Sequence, residues 1–343
     1  MLEVGPYPVV NGGKEYSGYT DKFNENANSI TISQGGESAG FVNWVNISFW
    51  AGAHCYVVEI PEGYDSRYLY HTLKNKEREI QLSKQGAGIP GLNRDTLYKQ
   101  VIPIPSLEEQ ARIVGILDTF TSAIDNLKEQ IAQRRKQYEY YRDQLIDFGS
   151  KDKNETYKLG TICAIGDGIH GTPTYNDNGE YYFVNGNNLS NGQIFFKPDT
   201  KKVDDTMYYK YGIEFDSKTI LMSINGTIGN IALYNNEKII LGKSVAYFKI
   251  KRNDIMYFRY LYYMLQTSFS KNYYNESLTG STIKNLGLKA LRCFDVFVPS
   301  LSEQQRIVSI LDTFEASIQN LEAQLKEREK QYEYYRNKLL TFE

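Results

Sequence analysis

The chain has 343 residues, enough for two domains that each bury their own apolar core without a disulfide scaffold. Its formal net charge of −2 argues against a general polyanion binder, and Cys55, Cys163 and Cys293 stand far apart without CxxC spacing, which points to neither a zinc site nor a redox pair. No stretch approaches the roughly 18 to 20 apolar residues of a membrane span, and the start MLEVGPYPVVNGG has no basic region followed by an apolar one, so a soluble cytoplasmic protein is expected.

The first elements are short strands. The segment PYPVVNGG at 6 to 13 and the stretch SITISQGGESAGFVNWVNISFWAGAHCYVVEI at 29 to 60 are apolar runs broken by Gly and Asn turns, the pattern of strands and hairpins. RYLYHTL at 67 to 73 has helical spacing, QGAGIPGLNRDTL at 85 to 97 reads as a Gly-rich loop and a short helix, and VIPIPS at 101 to 106 as a proline-punctuated strand.

A long helix follows, with Ser106 as N-cap and Glu109 three residues on, the two halves of a capping box. Ile113, Leu117, Phe120, Ile124, Leu127, Ile131, Arg134, Tyr138, Tyr141 and Leu145 step by four and three in alternation, a 3.5-residue period that predicts a coiled-coil seam. Residues 102 to 148 recur at 296 to 342 with 27 identities, so Ser300, Glu303 and the seam from Ile307 through Leu311, Phe314, Ile318, Leu321, Leu325, Arg328, Tyr332, Tyr335 and Leu339 repeat the whole helix. Arg134 and Arg328 hold equivalent seam positions, where charge costs stability and can fix register. In the repeated motif KQYEYYR, Tyr140 and Tyr334 lie off the seam. With Arg142 and Arg336 they are candidates to dock a partner protein, the alternative being an exposed tyrosine stacked on a neighbouring arginine.

The duplication extends further. TILMSINGTIGNIALYNNEKIILGKSVAYFKI at 219 to 250, RYLYYML at 259 to 265 and TGSTIKNLGLKAL at 279 to 291 parallel the elements of the first half in order, and YYFVNGNN at 181 to 188 parallels residues 6 to 13. Residues 157 to 180 form a lead segment without a counterpart in the first copy: either the chain starts inside its first domain or this variant works without its opening strand, and unless a longer start exists the first domain is expected to be less stable. A helix of about 42 residues is roughly 60 Å long, whereas a domain the size of residues 151 to 298 has a radius of gyration of only ~15 Å. The helices should therefore run antiparallel, with one domain at each end. The expected fold class is α+β: a first domain at 1–105, a helix at 106–150, a second domain at 151–298 and a second helix at 299–343.

Gly166, Gly168 and Gly171 spell GxGxxG after an apolar run, but TPTYNDNGE follows where a dinucleotide fold needs a helix. No GxxxxGK[ST], HExxH or GxSxG occurs, the three histidines are scattered, and no catalytic constellation is expected. The remaining signal is loop composition, since Asn, Gln, Arg, Lys, Ser and Thr read base edges and Gly-rich turns let backbone amides approach phosphates. The candidates are Asn11, Lys14, Gln34, Gly35, Gly36, Gly86, Gly88, Asn93 and Arg94 in the first domain. In the second, where Lys and Arg outnumber Asp and Glu by 18 to 14 over residues 151 to 298, they are Gly171, Thr172, Asn185, Asn187, Asn188, Asn225, Thr227, Gly280, Ser281, Thr282 and Lys284.

The doubled pattern PSLxEQxRIVxILDTFxxxI, each copy ending in QYEYYR and separating two dissimilar domains, resembles the specificity subunit of type I restriction-modification systems. The resemblance covers essentially all 343 residues. It implies that the two globular parts are target recognition domains, each reading one half of an asymmetric bipartite sequence in double-stranded DNA, and that the helices set the gap. It also implies that two methyltransferase subunits, which bind S-adenosylmethionine, dock on the helices and that restriction subunits join them, with no cofactor or catalysis in this chain. The family's loop pattern is met by Gly86, Ala87, Gly88 and Asn93, more loosely by Gly280, Ser281, Thr282 and Lys284, and its Gly-Thr-Pro motif by Gly171, Thr172 and Pro173. The competing reading is a structural adaptor whose end domains bind protein or glycan.

Overall fold

The computed structural model describes residues 2–86, 90–148, 155–280 and 282–341. The chain forms two compact units, one of residues 1–130 with 321–343 and the other of residues 131–320. The division cuts both long helices near their middles, so each unit is a globular domain plus half of each helix.

The first unit contains β1 (Tyr7–Val10), β2 (Tyr19–Thr20), β3 (Ser29–Ser33), β4 (Val42–Val45), β5 (Trp50–Ala51), β6 (Cys55–Val58), α1 (Ser66–Asn75), α2 (Glu77–Leu82), α3 (Arg94–Tyr98) and the start of α4 (Leu107–Phe148). β3 is the centre of the sheet β4-β3-β6, antiparallel on both sides, and β1 pairs in parallel with β5. Ile30, Ile32 and Val42 of this sheet pack on Leu69 and Leu73 of α1, which is why RYLYHTL is helical in spacing.

The second unit continues with β7 (Glu155–Lys158), α5 (Leu159–Ile162), β8 (Cys163–Asp167), β9 (Tyr181–Val184), β10 (Leu189–Ser190), β11 (Gln193–Ile194), β12 (Lys202–Val203), α6 (Asp205–Tyr211), β13 (Ile220–Ser223), β14 (Ile231–Leu233), β15 (Ile239–Leu241) and β16 (Val245–Ile250). Then follow α7 (Phe258–Met264), α8 (Ser268–Glu276), β17 (Leu278–Thr279), β18 (Asn285–Leu286), α9 (Leu288–Cys293), β19 (Asp295–Val298) and α10 (Leu301–Leu340). Its main sheet, β14-β13-β16-β8, repeats β4-β3-β6 and adds a fourth strand, while β9 and β15 repeat the parallel pair β1 and β5.

The added strand belongs to the lead segment, and it explains one departure from expectation. VFV of VFVPS lies in β19, paired with β7, whereas VIPIPS adopts no strand. A strand needs a neighbour, and the neighbour of β19 comes from the segment without a counterpart in the first copy.

Each domain is fastened to the helix that follows it by the same buried glutamine. Gln110, fully buried, donates from Nε2 to the carbonyls of Gly63 and Pro105 and accepts the Asp65 amide on Oε1. Gln304, 194 positions later, does the same with Ile255, Pro299 and Tyr257. About two turns further on, Asp118 receives Arg67 at 2.5 Å and His71 at 2.8 Å, and Asp312 receives Arg259 at 2.6 Å and the Tyr263 hydroxyl at 2.5 Å.

Within each unit the two helix halves run antiparallel. In the first, Phe120 stacks on Tyr335 and Lys128 reaches Glu329; in the second, Tyr141 stacks on Phe314 and the Tyr138 hydroxyl donates to Glu315. Ile113, Leu117, Ile124, Ile131, Ile307 and Leu311 are buried as the seam predicts. The seam arginines lie over phenylalanines of the other helix, Arg134 over Phe314 and Arg328 over Phe120, at 5.9 and 5.8 Å. The capping boxes are half formed. Ser106 and Ser300 accept the amides of Glu109 and Glu303, but those carboxylates form bidentate pairs with Arg112 and Arg306, a charge-assisted contact stronger than a neutral amide offers.

Candidate nucleic-acid interface

The scattered loops are brought together by backbone pairing. In the first domain the Gly36 amide donates to Pro90, the Leu92 amide to Gln34 and the Gln34 amide to His54, Gly35 bridges Gly91, and Asn11 accepts the His54 amide. Asn11, residues 34 to 36, His54 and residues 90 to 94 thus form one cluster. In the second domain the Gly226 amide donates to Lys284, the Leu286 amide to Ile224, and Asn225 bridges Asn285. These are the same three contacts shifted along the sequence. The Lys243 amide donates to Ile169 and the Gly186 amide to Ser244 Oγ, adding the 168 to 172, 185 to 188 and 242 to 244 loops.

The backbone frame is repeated, and the side chains on it are not. Gln34, Gly35, Pro90, Gly91 and Arg94 stand where the second domain has Ile224, Asn225, Lys284, Asn285 and Leu288. Two copies of one frame with different polar groups have the form needed to read two different sequences.

The structure sorts the predicted residues. Lys14, Gly86, Asn93, Arg94, Gly171, Thr172, Asn187, Thr227, Gly280, Thr282 and Lys284 are exposed. Arg94 lies over the Tyr56 ring at 5.4 Å, and Asn93 Oδ1 accepts the Asp95 amide as the cap of α3. Gln34, Gly35 and Gly36 are half-buried, and Gly36 needs its glycine, with φ +79°. Gly88 and Ser281, with Ala87, lie outside the described residues.

Asn185 and Asn188 are corrected. Asn185 Oδ1 accepts the Ser244 hydroxyl, and buried Asn188 accepts the Asn185 amide and donates to Phe195 and Thr200, so these amides hold the loop that presents Asn187. Asn11 and Asn225 are likewise half-buried within the frame. Sequence reading missed Lys243, exposed between the 169 and 186 loops; its signal was the GKS at 242 to 244.

The GxGxxG glycines have a packing explanation. A Cβ on Gly166 would meet the Tyr247 hydroxyl at 2.4 Å and one on Gly168 the Leu241 carbonyl oxygen at 1.9 Å, whereas Gly171 has open space. In the first unit a cleft of 860 Å³ runs beside α1 and the helices, but Arg67, Lys74 and Lys128 are matched on its walls by Asp118, Asp125 and Glu329, leaving no excess charge for a phosphate. Among the described residues no three His, Cys, Asp or Glu side chains cluster as metal ligands.

A family model described as the type I restriction modification DNA specificity domain matches residues 2–134 and 151–329. The chain belongs to this family. A specificity subunit of this type from Haemophilus influenzae is 28% identical over 96% of this chain and 87% of its own length. The EcoR124I/EcoR124II specificity subunit of Escherichia coli is 29% identical over 70% of this chain and 63% of that relative. The crystal structure of the type I S subunit from M. genitalium has the same fold, with a TM-score of 0.62 at 21% identity over 100% of this chain and 90% of that one. Membership of a DNA specificity family decides between the two readings left by the sequence; nothing in these relatives supports the adaptor. Among the described residues no helix is long and apolar enough to cross a membrane.

The off-seam tyrosines of this specificity chain are exposed, Tyr140 by 61% and Tyr334 by 60%, and each stands edge-on to the next tyrosine at 5.3 Å. Their companion arginines are corrected. Arg142, only 4% exposed, pairs with Asp143 and lies over Tyr138, and Arg336 donates to Asn75 and lies over Tyr332. The arginine stacks therefore fall on seam tyrosines, and both guanidiniums are engaged within the fold.

Proposed function

We propose that the chain is the non-catalytic DNA-recognition subunit of a type I restriction-modification complex in the cytoplasm. Each domain reads one half of an asymmetric bipartite target. The observation that carries this is the repeated loop frame, Gly36 to Pro90 and Gly226 to Lys284, bearing different side chains in the two domains. Lys14, Asn93 and Arg94 in the first domain, and Asn187, Thr227, Lys243, Thr282 and Lys284 in the second, are the groups placed to meet DNA. The helices set the gap and dock two methyltransferase subunits; restriction subunits complete the assembly. S-adenosylmethionine belongs to the methyltransferase partner.

Selection from a randomised duplex library, with the chain and its methyltransferase partner together, should enrich one bipartite motif with a fixed gap. Recovery of no motif, or of a single continuous site, would count against two readers.

Tyr140 and Tyr334 offer aromatic area at low entropic cost, the property of interface anchors. Replacing both by Ala should weaken capture of the methyltransferase by about thirtyfold, equivalent to roughly 2 kcal/mol. Unchanged capture in a pull-down titration would move the docking surface elsewhere.

A further inference from the structure

In the second domain β17 and β18 form a two-stranded antiparallel ribbon, Leu278 opposite Leu286 and Thr279 opposite Asn285, closed by residues 280 to 284. Ile283 on that loop is 67% exposed. Thr282 and Lys284 on either side of it are exposed and polar, as are Asn187, Thr227 and Lys243 on the other loops of the frame. Among the described residues of these loops, 168 to 172, 185 to 188, 225 to 228, 242 to 244 and 279 to 285, Ile283 is the one exposed aliphatic side chain. Its position is held from both sides. The Thr279 hydroxyl donates to the Asn285 carbonyl at 3.2 Å, the Lys284 carbonyl accepts the Gly226 amide, and the Leu286 amide donates to Ile224. Gly280 turns with φ +91°, a strained conformation for any other residue, whose Cβ would also strike the Ile283 carbonyl oxygen. A lone exposed aliphatic residue needs no explanation in itself. This one is retained by the duplication: aligned on the frame, Pro90 with Lys284 and Gly91 with Asn285, the first domain has Ile89 at the same position, although Gly88 and Pro90 stand where the second has Thr282 and Lys284. The flanks differ and the isoleucine stays.

We propose that Ile283 is a specificity-determining residue that reads the 5-methyl group of a thymine in the major groove, a role that rests on the DNA-recognition function proposed above. A two-stranded ribbon fits the major groove, about 12 Å wide, and not the minor groove of about 6 Å. In the major groove the hydrogen-bonding edges of the bases suit Asn, Thr and Lys, and the thymine methyl is the apolar group that suits an aliphatic side chain. Contact between the two removes water from both, whereas cytosine has no methyl to offer. The β-branched side chain has few rotamers to lose when it is ordered against the base, so little entropy opposes the contact.

The duplex recovered by the library selection supplies the test. Each of its thymines is replaced in turn by deoxyuridine, which keeps the base-pair hydrogen bonds and removes only the methyl. Binding by the full chain with its methyltransferase partner should weaken about three- to fivefold at one thymine, the effect of losing roughly one buried methyl group. Ile283→Ala should weaken binding of the parent duplex by at least as much and should no longer respond to deoxyuridine at that thymine. Ile283→Val, which keeps the γ-methyl groups, should still respond. The side chain is exposed, so neither variant should disturb folding. A motif without a responsive thymine, or a response that Ile283→Ala leaves undiminished, would overturn the proposal and leave the two readers standing. Weaker binding by Ile283→Ala with no response to deoxyuridine would make the residue a wedge between base steps and overturn it equally. Recovery of no motif would remove the function proposed above and the role of Ile283 together.

Discussion

Replacing Gln304 by Leu should lower the melting temperature of the second unit by about 6 to 12 °C. The leucine fills similar volume but strands three buried partners, the Tyr257 amide and the carbonyls of Ile255 and Pro299, which no water can reach behind a fully buried side chain. An unsatisfied buried group costs about 1 to 3 kcal/mol. Three together, partly relieved by local adjustment, cost about 3 kcal/mol, and a unit of this size loses roughly 2 to 4 °C per kcal/mol. Gln110→Leu should do the same to the first unit by stranding the Asp65 amide and the carbonyls of Gly63 and Pro105. Both tryptophans, Trp44 and Trp50, belong to the first unit, so their fluorescence follows it alone, while hydrogen exchange follows the second. Equal melting of wild type and variants, or loss in the wrong unit, would remove the glutamines from this role.

Acid should act oppositely through one buried group in each unit, His71 in the first and Glu315 in the second. Burial pushes His71 down to about 4; its contact with Asp118 opposes this, and Arg67 and Arg336 add to it. The neutral ring fits its neighbours, with Nε2 donating to Asp118 at 2.8 Å and Nδ1 accepting from the Tyr332 hydroxyl at 3.2 Å. Because the folded pKa lies below the unfolded value of 6.5, only the unfolded chain gains this proton as pH falls from 6.5 to 4. The first unit therefore loses up to about 3 kcal/mol across that window and nothing more from this group below it. In the second unit Tyr263 takes the histidine's place, and the nearby carboxyl of Glu315 is raised above its ordinary range by burial, against the hydrogen bonds of Tyr262 and Tyr263 and the charge of Arg259. A raised carboxyl favours folding as it takes up its proton, so the second unit gains from this group as pH falls toward 4.5. Denaturation monitored by tryptophan fluorescence at pH 7 and pH 4.5 should show the first loss, and His71→Tyr should abolish it. An unaltered slope in that variant would assign the acid response to other groups.

The repeat made much of this architecture legible. Helix spacing, strand order and the antiparallel course of the helices followed from apolar periodicity and length, signals spread over many residues. What stayed hidden depended on single contacts between distant segments. Gln110 and Gln304 read as ordinary polar residues in a helical first turn, because nothing local reveals that backbone from 45 or so residues upstream closes over them. The strand expected at 101 to 106 is absent, since strand propensity says nothing about whether a neighbour is present. Asn185 and Asn188 have the same chemistry whether they face a base or a serine, and only the fold shows that Ser244 and Thr200 claim them. Composition pointed to the candidate loops, while pairing between Gly36 and Pro90, and between Gly226 and Lys284, shows that they form matched frames.

The first unit draws its last pieces from residues 321–343, whereas residues 131–320 contain all of the second. On the ribosome the order of completion is therefore inverted. The first must hold its domain against a half-formed helix pair until 191 further residues have followed Gln130, about 10 to 40 s at ordinary elongation rates. During that interval His71, Asn75 and Phe120 wait for Tyr332, Arg336 and Tyr335. Loss of residues 321–341 would thus injure the unit that residues 1–130 begin.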